Sequence, residues 1–219
     1  MRFYLISILL LLSMSIYGNK VDAQRAIDTI IKLIKKKDLP PPQMGNISHL
    51  CEGIGILNGN DYYIKEIKNK DCFFDSKTKK PISGIFIIWA YTNSIDGDLA
   101  YETPYSMDSG RFVKGYKQAI WVTKYLHENL LDYSISYRLG ILHGKYTVYD
   151  TSGTIFYESN FVKGNGCQKA FYKDHTLADE GCFDNNKPQG VWRYYKTNGD
   201  RQSEILYNKG KQVQSKTFK

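Results

Sequence analysis

One spacing of aromatic residues and glycines recurs along the second half of the chain. Counted from a leading aromatic residue, two further aromatics follow at offsets 9 and 12, and a glycine follows at offset 16. Two copies keep all four positions: Tyr137, Tyr146, Tyr149 and Gly153, and then Phe183, Trp192, Tyr195 and Gly199. Less complete copies begin at Phe112 and Phe161, and an earlier one contains Phe86, so that the period is about 22 to 25 residues. A period of this size is typical of stacked arrays, in which one repeat cannot bury its apolar face without its neighbours.

Each repeat is predicted to be a β-hairpin. In the last copy, residues 191–196 and 202–207 are rich in the aromatic and β-branched residues that suit strands. Asn198 and Gly199 stand between them, and this pair favours a two-residue turn, because both central residues of such a turn need positive φ. Since a single hairpin is only marginally stable in water, we expect the hairpins to pair with one another.

The first strand of each repeat alternates in a way that predicts one buried face. Residues two apart in a strand point to the same side of the sheet. The pairs that share a side are Phe86 and Ile88, Trp121 and Thr123, Tyr146 and Val148, Ala170 and Tyr172, and Trp192 and Tyr194. Because most of these side chains are large and apolar or aromatic, we expect this side to form the core of the array.

The repeat resembles the MORN-repeat family, and in particular its divergent bacterial variants of the YwqK-type, antitoxin-like group. The matching segments are "HGKYTVYDTSGTIFYESNF", "QGVWRYYKTNGDRQSEILYNKGK" and "SKTKKPISGI". The resemblance covers the chain from about Phe74 to Lys211, and the repeat of 161–183 departs from it by lacking two glycines. It implies a mainly β fold, with tandem hairpins in one elongated, twisted antiparallel sheet over 74–219. It also implies an interaction or scaffold role and no known chemistry.

The first residues of the chain predict export. An early arginine precedes an apolar run from Phe3 to about Met14, and Val21 and Ala23 are small residues at the positions that a signal peptidase recognises. We therefore predict a secretory signal peptide over 1–23, although an uncleaved N-terminal anchor would show the same pattern. The predicted location is the periplasm, the outer-membrane surface or the outside of the cell.

A short amphipathic helix and a proline-rich linker are predicted over 24–43. The isoleucines of the helix, which are Ile27, Ile30, Ile31 and Ile34, form one stripe, and three consecutive prolines end the segment. The helix either contacts a membrane surface or covers one end of the array.

Four cysteines in an exported chain suggest two disulfide bonds. The turn of the 161–183 repeat is predicted near Asp174 and His175, and this register places Cys167 opposite Cys182. Such a bond closes a loop of about 15 residues and stabilises the fold by roughly 3 kcal/mol. Cys51 and Cys72 would then clamp 44–73, the segment that leads into the array. Zinc binding is the alternative, but the sequence has no Cys-x-x-Cys pair.

A second row of residues is the predicted binding surface. Three positions after the core aromatic, on the opposite face, the repeats carry Trp89, Lys124, Tyr149, Lys173 and Tyr195. Aromatic faces separated by lysines suit acidic sugars or an acidic peptide surface. The alternative is that these aromatic residues pack under loops or against the N-terminal segment.

Composition and motifs narrow the functional classes. The formal net charge of +8 favours acidic partners, such as anionic glycans, lipid headgroups or an acidic protein. Nucleic-acid binding is not predicted, because the chain has no dense block of basic residues outside the first helix. The histidines, which are His49, His127, His143 and His175, show no ligand spacing and no accompanying nucleophile motif. We therefore predict a protein that is not an enzyme and that needs no metal and no cofactor.

Two functional hypotheses follow. The first is an exported repeat protein that acts as a protein-interaction scaffold in the cell envelope. The second is a binding module for an anionic glycan or lipid surface. The antitoxin label of the similar family also leaves an immunity-type role open.

Overall fold

The computed structural model describes residues 52–57, 59–96, 99–126 and 129–219, all within the unit Ile47–Lys219. The predicted signal peptide over 1–23, the predicted helix and linker over 24–43, and Cys51 lie outside the described residues. In the described part of the chain there are β-strands and no helix, and thus no helix there that could cross a membrane. The prediction of a mainly β fold is confirmed.

The strands follow one another along the chain with short connections. They are β1 (Glu52–Leu57), β2 (Tyr62–Ile67), β3 (Lys70–Asp75), β4 (Ser83–Asp96), β5 (Leu99–Val113), β6 (Tyr116–Tyr125), β7 (Tyr133–Arg138), β8 (Ile141–Tyr149), β9 (Ile155–Phe161), β10 (Gly166–Phe171), β11 (Leu177–Asp184), β12 (Lys187–Tyr195), β13 (Arg201–Asn208) and β14 (Lys211–Thr217).

The strands form three sheets rather than the predicted single sheet. A seven-stranded sheet has the order β1-β4-β5-β6-β7-β8-β9, a five-stranded sheet has the order β10 to β14, and β2 pairs with β3 alone. Sequential neighbours are antiparallel, as expected for hairpins, and β1 pairs with β4 in parallel. The expectation of one continuous sheet is therefore wrong at the junction of β9 and β10.

Side chains take the place of backbone hydrogen bonds at this junction. After an isolated pairing of Val162 with Asn165, the ladder between β9 and β10 stops. The Ser159 hydroxyl instead donates to the carbonyl of Cys167 at 2.6 Å, and the Tyr146 hydroxyl donates to the carbonyl of Lys169 at 2.9 Å. These two β10 carbonyls are therefore paired where the sheet divides.

Two kinds of turn connect the strands. Tight links, in which both residues have positive φ, join one repeat to the next, and they are Lys114 with Gly115, Leu139 with Gly140, Lys163 with Gly164, Asn185 with Asn186, and Lys209 with Gly210. The turns inside the repeats are longer. Lys196 pairs with Asp200 across the turn that contains Gly199, and only Gly199 of that turn has positive φ. The predicted two-residue turn at Asn198 is therefore wrong, because the Asn198 side chain bonds the Asp200 amide and a third residue is included.

Side chains that precede the tight links in the chain fix them. The Lys114 amide of the first link donates to the Ser83 hydroxyl, 31 residues earlier. In the other four links the first amide donates to a side-chain acceptor about 20 residues earlier in the chain. The donor and acceptor residues are Leu139 and Gln118, Lys163 and His143, Asn185 and Asn165, and Lys209 and Gln189. The links thus form a hydrogen-bonded column along one edge of the hairpins.

The predicted core face is buried in the seven-stranded sheet. Phe86, Trp121 and Tyr146 are at most 2% exposed, and they belong to one hydrophobic cluster that extends to Phe161. In the five-stranded sheet Trp192 is buried, whereas the position of Ala170 is half-buried. The alternation of the first strands therefore predicts the inner face correctly.

Both core tryptophans occupy the same kind of site. The Trp121 ring covers Gly110 on the neighbouring strand, where a Cβ would lie 2.3 Å from the ring, and the Trp192 ring covers Gly181 at 2.1 Å. Each indole N–H donates to a backbone carbonyl at 3.2 Å, of Arg111 and of Cys182 respectively. A glycine is required because any larger residue would displace the ring.

The described cysteines differ in their bonding state. Cys167 and Cys182 are directly paired residues of β10 and β11, and they form the predicted disulfide bond. Cys72 is a free, buried thiol in the described part of the chain, and it donates to the carbonyl of Lys114 at 3.7 Å. Its predicted partner Cys51 lies outside the described residues, so the second bond stays a prediction.

Candidate ligand-binding cleft

The predicted row on the second face exists, but it is divided between two sheets. Trp89 pairs with Met107, which pairs with Lys124, so these side chains share one row across β4, β5 and β6. Tyr149 continues the same row from β8. Lys173 and Tyr195 belong to the other side of the sheet junction, so the five residues do not form one continuous stripe.

The aromatic members of this row are engaged within the fold. Trp89 is half-buried, the Tyr149 hydroxyl bonds Ser134 at 3.0 Å, and the Tyr195 hydroxyl donates to Glu180 at 3.0 Å. Lys173 is exposed. These contacts give the row a structural role, and its role in binding stays a prediction.

A cleft of about 520 Å³ lies on the other side of the hairpins. It is lined by residues of β3, β6, β7, β8, β10, β11 and β12, and by residues of the turns between strands. The polar and charged side chains that line it are Asn69, Asp71, Lys117, Tyr133, Tyr137, Gln168, Asn186 and Lys187. Its volume is within the range typical of small-molecule sites.

One wall of the cleft is made by the same position of three repeats. Lys117, Leu142 and Pro188 each lie four residues before a core aromatic, and all three line the cleft. Two of these positions are apolar, and one is a lysine that faces the core side. This substitution is the sequence signal by which the site could have been found, because a lysine is rare at a position that is apolar elsewhere.

The Lys117 ammonium lies among three aromatic rings. Its Nζ is 4.3 Å from the ring centroid of Trp121, 5.6 Å from that of Tyr137 and 5.9 Å from that of Phe73. Oδ2 of Asp108 is 3.8 Å away, an ion-pair distance too long for a hydrogen bond. The side chain is 19% exposed, and this burial lowers the pKa of Lys117, an effect that Asp108 partly offsets.

The β2–β3 hairpin borders the cleft and is held at both ends. At its base, the Phe73 ring packs on Phe112 with centroids 4.8 Å apart, and the Phe73 amide donates to Gly115. At its tip, Glu66 pairs with Lys187. The base is therefore fixed by buried contacts, whereas the tip is held by an exposed ion pair, which contributes little to stability.

Two tyrosines provide neutral hydroxyl groups in the cleft. Burial raises the pKa of Tyr133 to about 12, and it also raises the pKa of Tyr137. Both hydroxyls therefore stay protonated at neutral pH, so each can donate and accept a hydrogen bond. Together with the Gln168 amide they suit a ligand that carries hydroxyl groups.

Two histidines of the described residues make contacts within the fold. His143 accepts a hydrogen bond from the Lys163 amide, and His175 stacks on Phe156 with centroids 4.4 Å apart. Among the residues that the structure describes, no group of three or more His, Cys, Asp or Glu could hold a metal ion.

The fold and the cleft define a β-hairpin repeat protein with a ligand-sized site. A sequence model of the family described as "MORN repeat variant" matches residues 142–163 and 188–209. The two matches begin at Leu142 and Pro188, the equivalent wall positions of the cleft, and end at the first residue of the next tight link. Comparison with curated proteins and with solved structures gave no match.

Proposed function

We propose that this chain is a non-catalytic binding module, in which MORN-like hairpins form a cleft for a short segment of a glycan. The observation that carries the proposal is the cleft of about 520 Å³, which combines aromatic side chains with neutral hydroxyl and amide groups. Sugars present apolar ring faces and hydroxyl edges, and such a lining matches both. The match of residues 142–163 and 188–209 to the MORN repeat variant family also supports a binding role, because tandem repeats build extended binding surfaces.

The location proposed for this function is the cell envelope. The Cys167–Cys182 bond joins two exposed residues, and such bonds persist mainly in oxidising compartments. An envelope location would bring the cleft into contact with extracytoplasmic glycans.

The test is to map binding by backbone amide chemical shifts in the full chain. A panel of neutral and acidic trisaccharides is titrated into the labelled protein. We expect shifts at Gly140, Gln168 and Asn186, which line the cleft, and none along β14.

A blocking variant makes this test sharper. Gln168→Trp should fill the cleft and abolish binding, whereas Gln214→Trp, on the exposed strand β14, should bind as the unmodified chain does. Shifts that map elsewhere, or unchanged binding by Gln168→Trp, would refute the proposal.

A protein-interaction scaffold is the second candidate, and one observation favours it. Ile155 and Phe156 on β9 are 56% and 39% exposed, and Phe156 also contacts Phe171 across the sheet junction. Adjacent exposed apolar side chains of this size are typical of protein contacts. Ile155→Ser should then weaken capture of a protein partner while leaving the cleft shifts intact; equal capture would count against the scaffold.

A further inference from the structure

The ammonium of Lys117 is buried and only partly satisfied. An ammonium has three donors, and the carboxylate that faces it from β5, Asp108, lies at 3.8 Å. The other oxygen of Asp108 accepts the Thr123 hydroxyl at the shorter distance of 2.7 Å. The rings around Lys117 attract the charge, but they offer no lone pair. The N–H groups of the Lys117 ammonium therefore lack a hydrogen-bond acceptor at a position that lines the cleft.

The other charges around the cleft do not use this capacity. Lys187 is the second lysine of the lining, and it is paired with Glu66. Asp71 lies in the lining on β3 and acts on Lys117 only through space. Among the described residues that line the cleft, Lys117 is therefore the ammonium that can bind a new partner.

The chemistry of such a partner follows from these charges. A buried charge is costly unless it is paired and hydrogen-bonded, so a group that bonds Lys117 gains the most if it carries negative charge. Asp71 and Asp108 already contribute two negative charges nearby, and they would repel a doubly charged phosphate. A carboxylate carries one charge, so it is repelled less than such a phosphate, and its oxygens can still accept from the ammonium.

We infer that Lys117 binds the carboxylate of the ligand, so that the cleft selects acidic ligands over neutral ones. This inference rests on the proposed function and specifies its substrate class. Two sources offer the required carboxylate together with polar groups for Tyr133 and Gln168: a uronic acid in a glycan, and the acidic end of a short peptide.

The experiment compares matched probes by calorimetry with the full chain. The probes are trigalacturonic acid, its methyl ester, which has the same shape without the charges, and triglutamate for the peptide source. We expect the acid to bind on the order of 10- to 100-fold more tightly than the ester, as charge-assisted hydrogen bonds predict. Tighter binding by triglutamate than by trigalacturonic acid would support Lys117 as the carboxylate site and assign the peptide as source.

Variants of Lys117 identify the residue responsible. Lys117→Met keeps the length of the side chain among the rings, and it should bind the acid and the ester equally. Lys117→Arg should keep the preference for the acid. The control is Lys169→Met, which removes a lysine paired with Glu180 outside the cleft and should behave as the unmodified chain.

The outcomes separate the two proposals. Equal affinity for acid and ester in the unmodified chain, with shifts in the cleft, would overturn the role of Lys117 and leave glycan binding in place. An acid preference that survives in Lys117→Met would do the same. Absence of binding in the cleft by every probe would overturn both.

Discussion

Replacing Asp179 by asparagine should stabilise the protein at neutral pH and leave its stability almost unchanged in acid. Asp179 lies in β11, opposite Ala170 and Tyr194, on the inner side of the five-stranded sheet. Its Oδ1 is buried and has no hydrogen-bond partner among the described residues. Burial raises the pKa of Asp179 to about 6 from an ordinary value of 3.8.

The size of the effect follows from this difference. The interval between 3.8 and about 6 corresponds to roughly 3 kcal/mol of destabilisation by the charged carboxylate. Because the folded-state pKa is the higher one, the folded protein binds the proton more tightly than the unfolded chain does. The destabilisation is therefore absent below about pH 4, grows as the pH rises, and is complete above about pH 6.

The assay is urea unfolding of the full chain and of Asp179→Asn, followed by tryptophan fluorescence at about pH 4 and pH 8. We expect Asp179→Asn to be more stable by on the order of 2–3 kcal/mol at pH 8, and by little at pH 4. Glu204→Gln is the matched control, because Glu204 pairs with Arg193 and Arg201, and it should lose up to about 1 kcal/mol at pH 8. A gain that is equal at both pH values, or no gain at pH 8, would refute the reasoning.

Three further predictions concern the packing of a tryptophan, the disulfide bond and an ion pair. Gly181→Ala should destabilise the protein by about 1–3 kcal/mol or more in urea unfolding, because its Cβ would lie 2.1 Å from the Trp192 ring; an unchanged midpoint would contradict this account of the tryptophan site. The double variant Cys167→Ala with Cys182→Ala should lose roughly 3 kcal/mol of unfolding free energy, and reduction of the unmodified chain should cause a similar loss. Equal stability with and without reductant would show that the bond does not stabilise the fold. Glu66→Gln should raise hydrogen exchange at the tip of the β2–β3 hairpin with little change in global stability, and exchange that stays the same would show that the ion pair does not hold the tip.

Local patterns in the sequence predicted those features of the fold that depend on strand alternation. The side of the sheet that is buried at Trp121 and Tyr146 follows from residues two apart in one strand. The Cys167–Cys182 bond follows from the register of a single hairpin. In both cases the residues that decide the outcome lie within one hairpin.

The features that the sequence did not reveal depend on contacts between repeats. Where the sheet divides, the Ser159 and Tyr146 hydroxyls bond to carbonyls of the following strand. The cleft requires β3 to lie beside β6, β7 and β10, and no spacing of residues indicates that arrangement. The same holds for the predicted row on the second face. The spacing predicts which residues share the row, but it does not predict the hydrogen-bond partners of Tyr149 and Tyr195.

The column of tight links decides where the chain tolerates a change of length. The turns around Ser152, Asp174 and Asn198 are exposed, so an extra residue there would extend into solvent. An extra residue at a link such as Leu139 and Gly140 would detach the amide from Gln118 and reverse the orientation of every side chain in the next strand. Insertions and grafted peptides should therefore be placed in the turns inside the repeats. The tight links, at the opposite edge of the hairpins, fix the register of one repeat relative to the next.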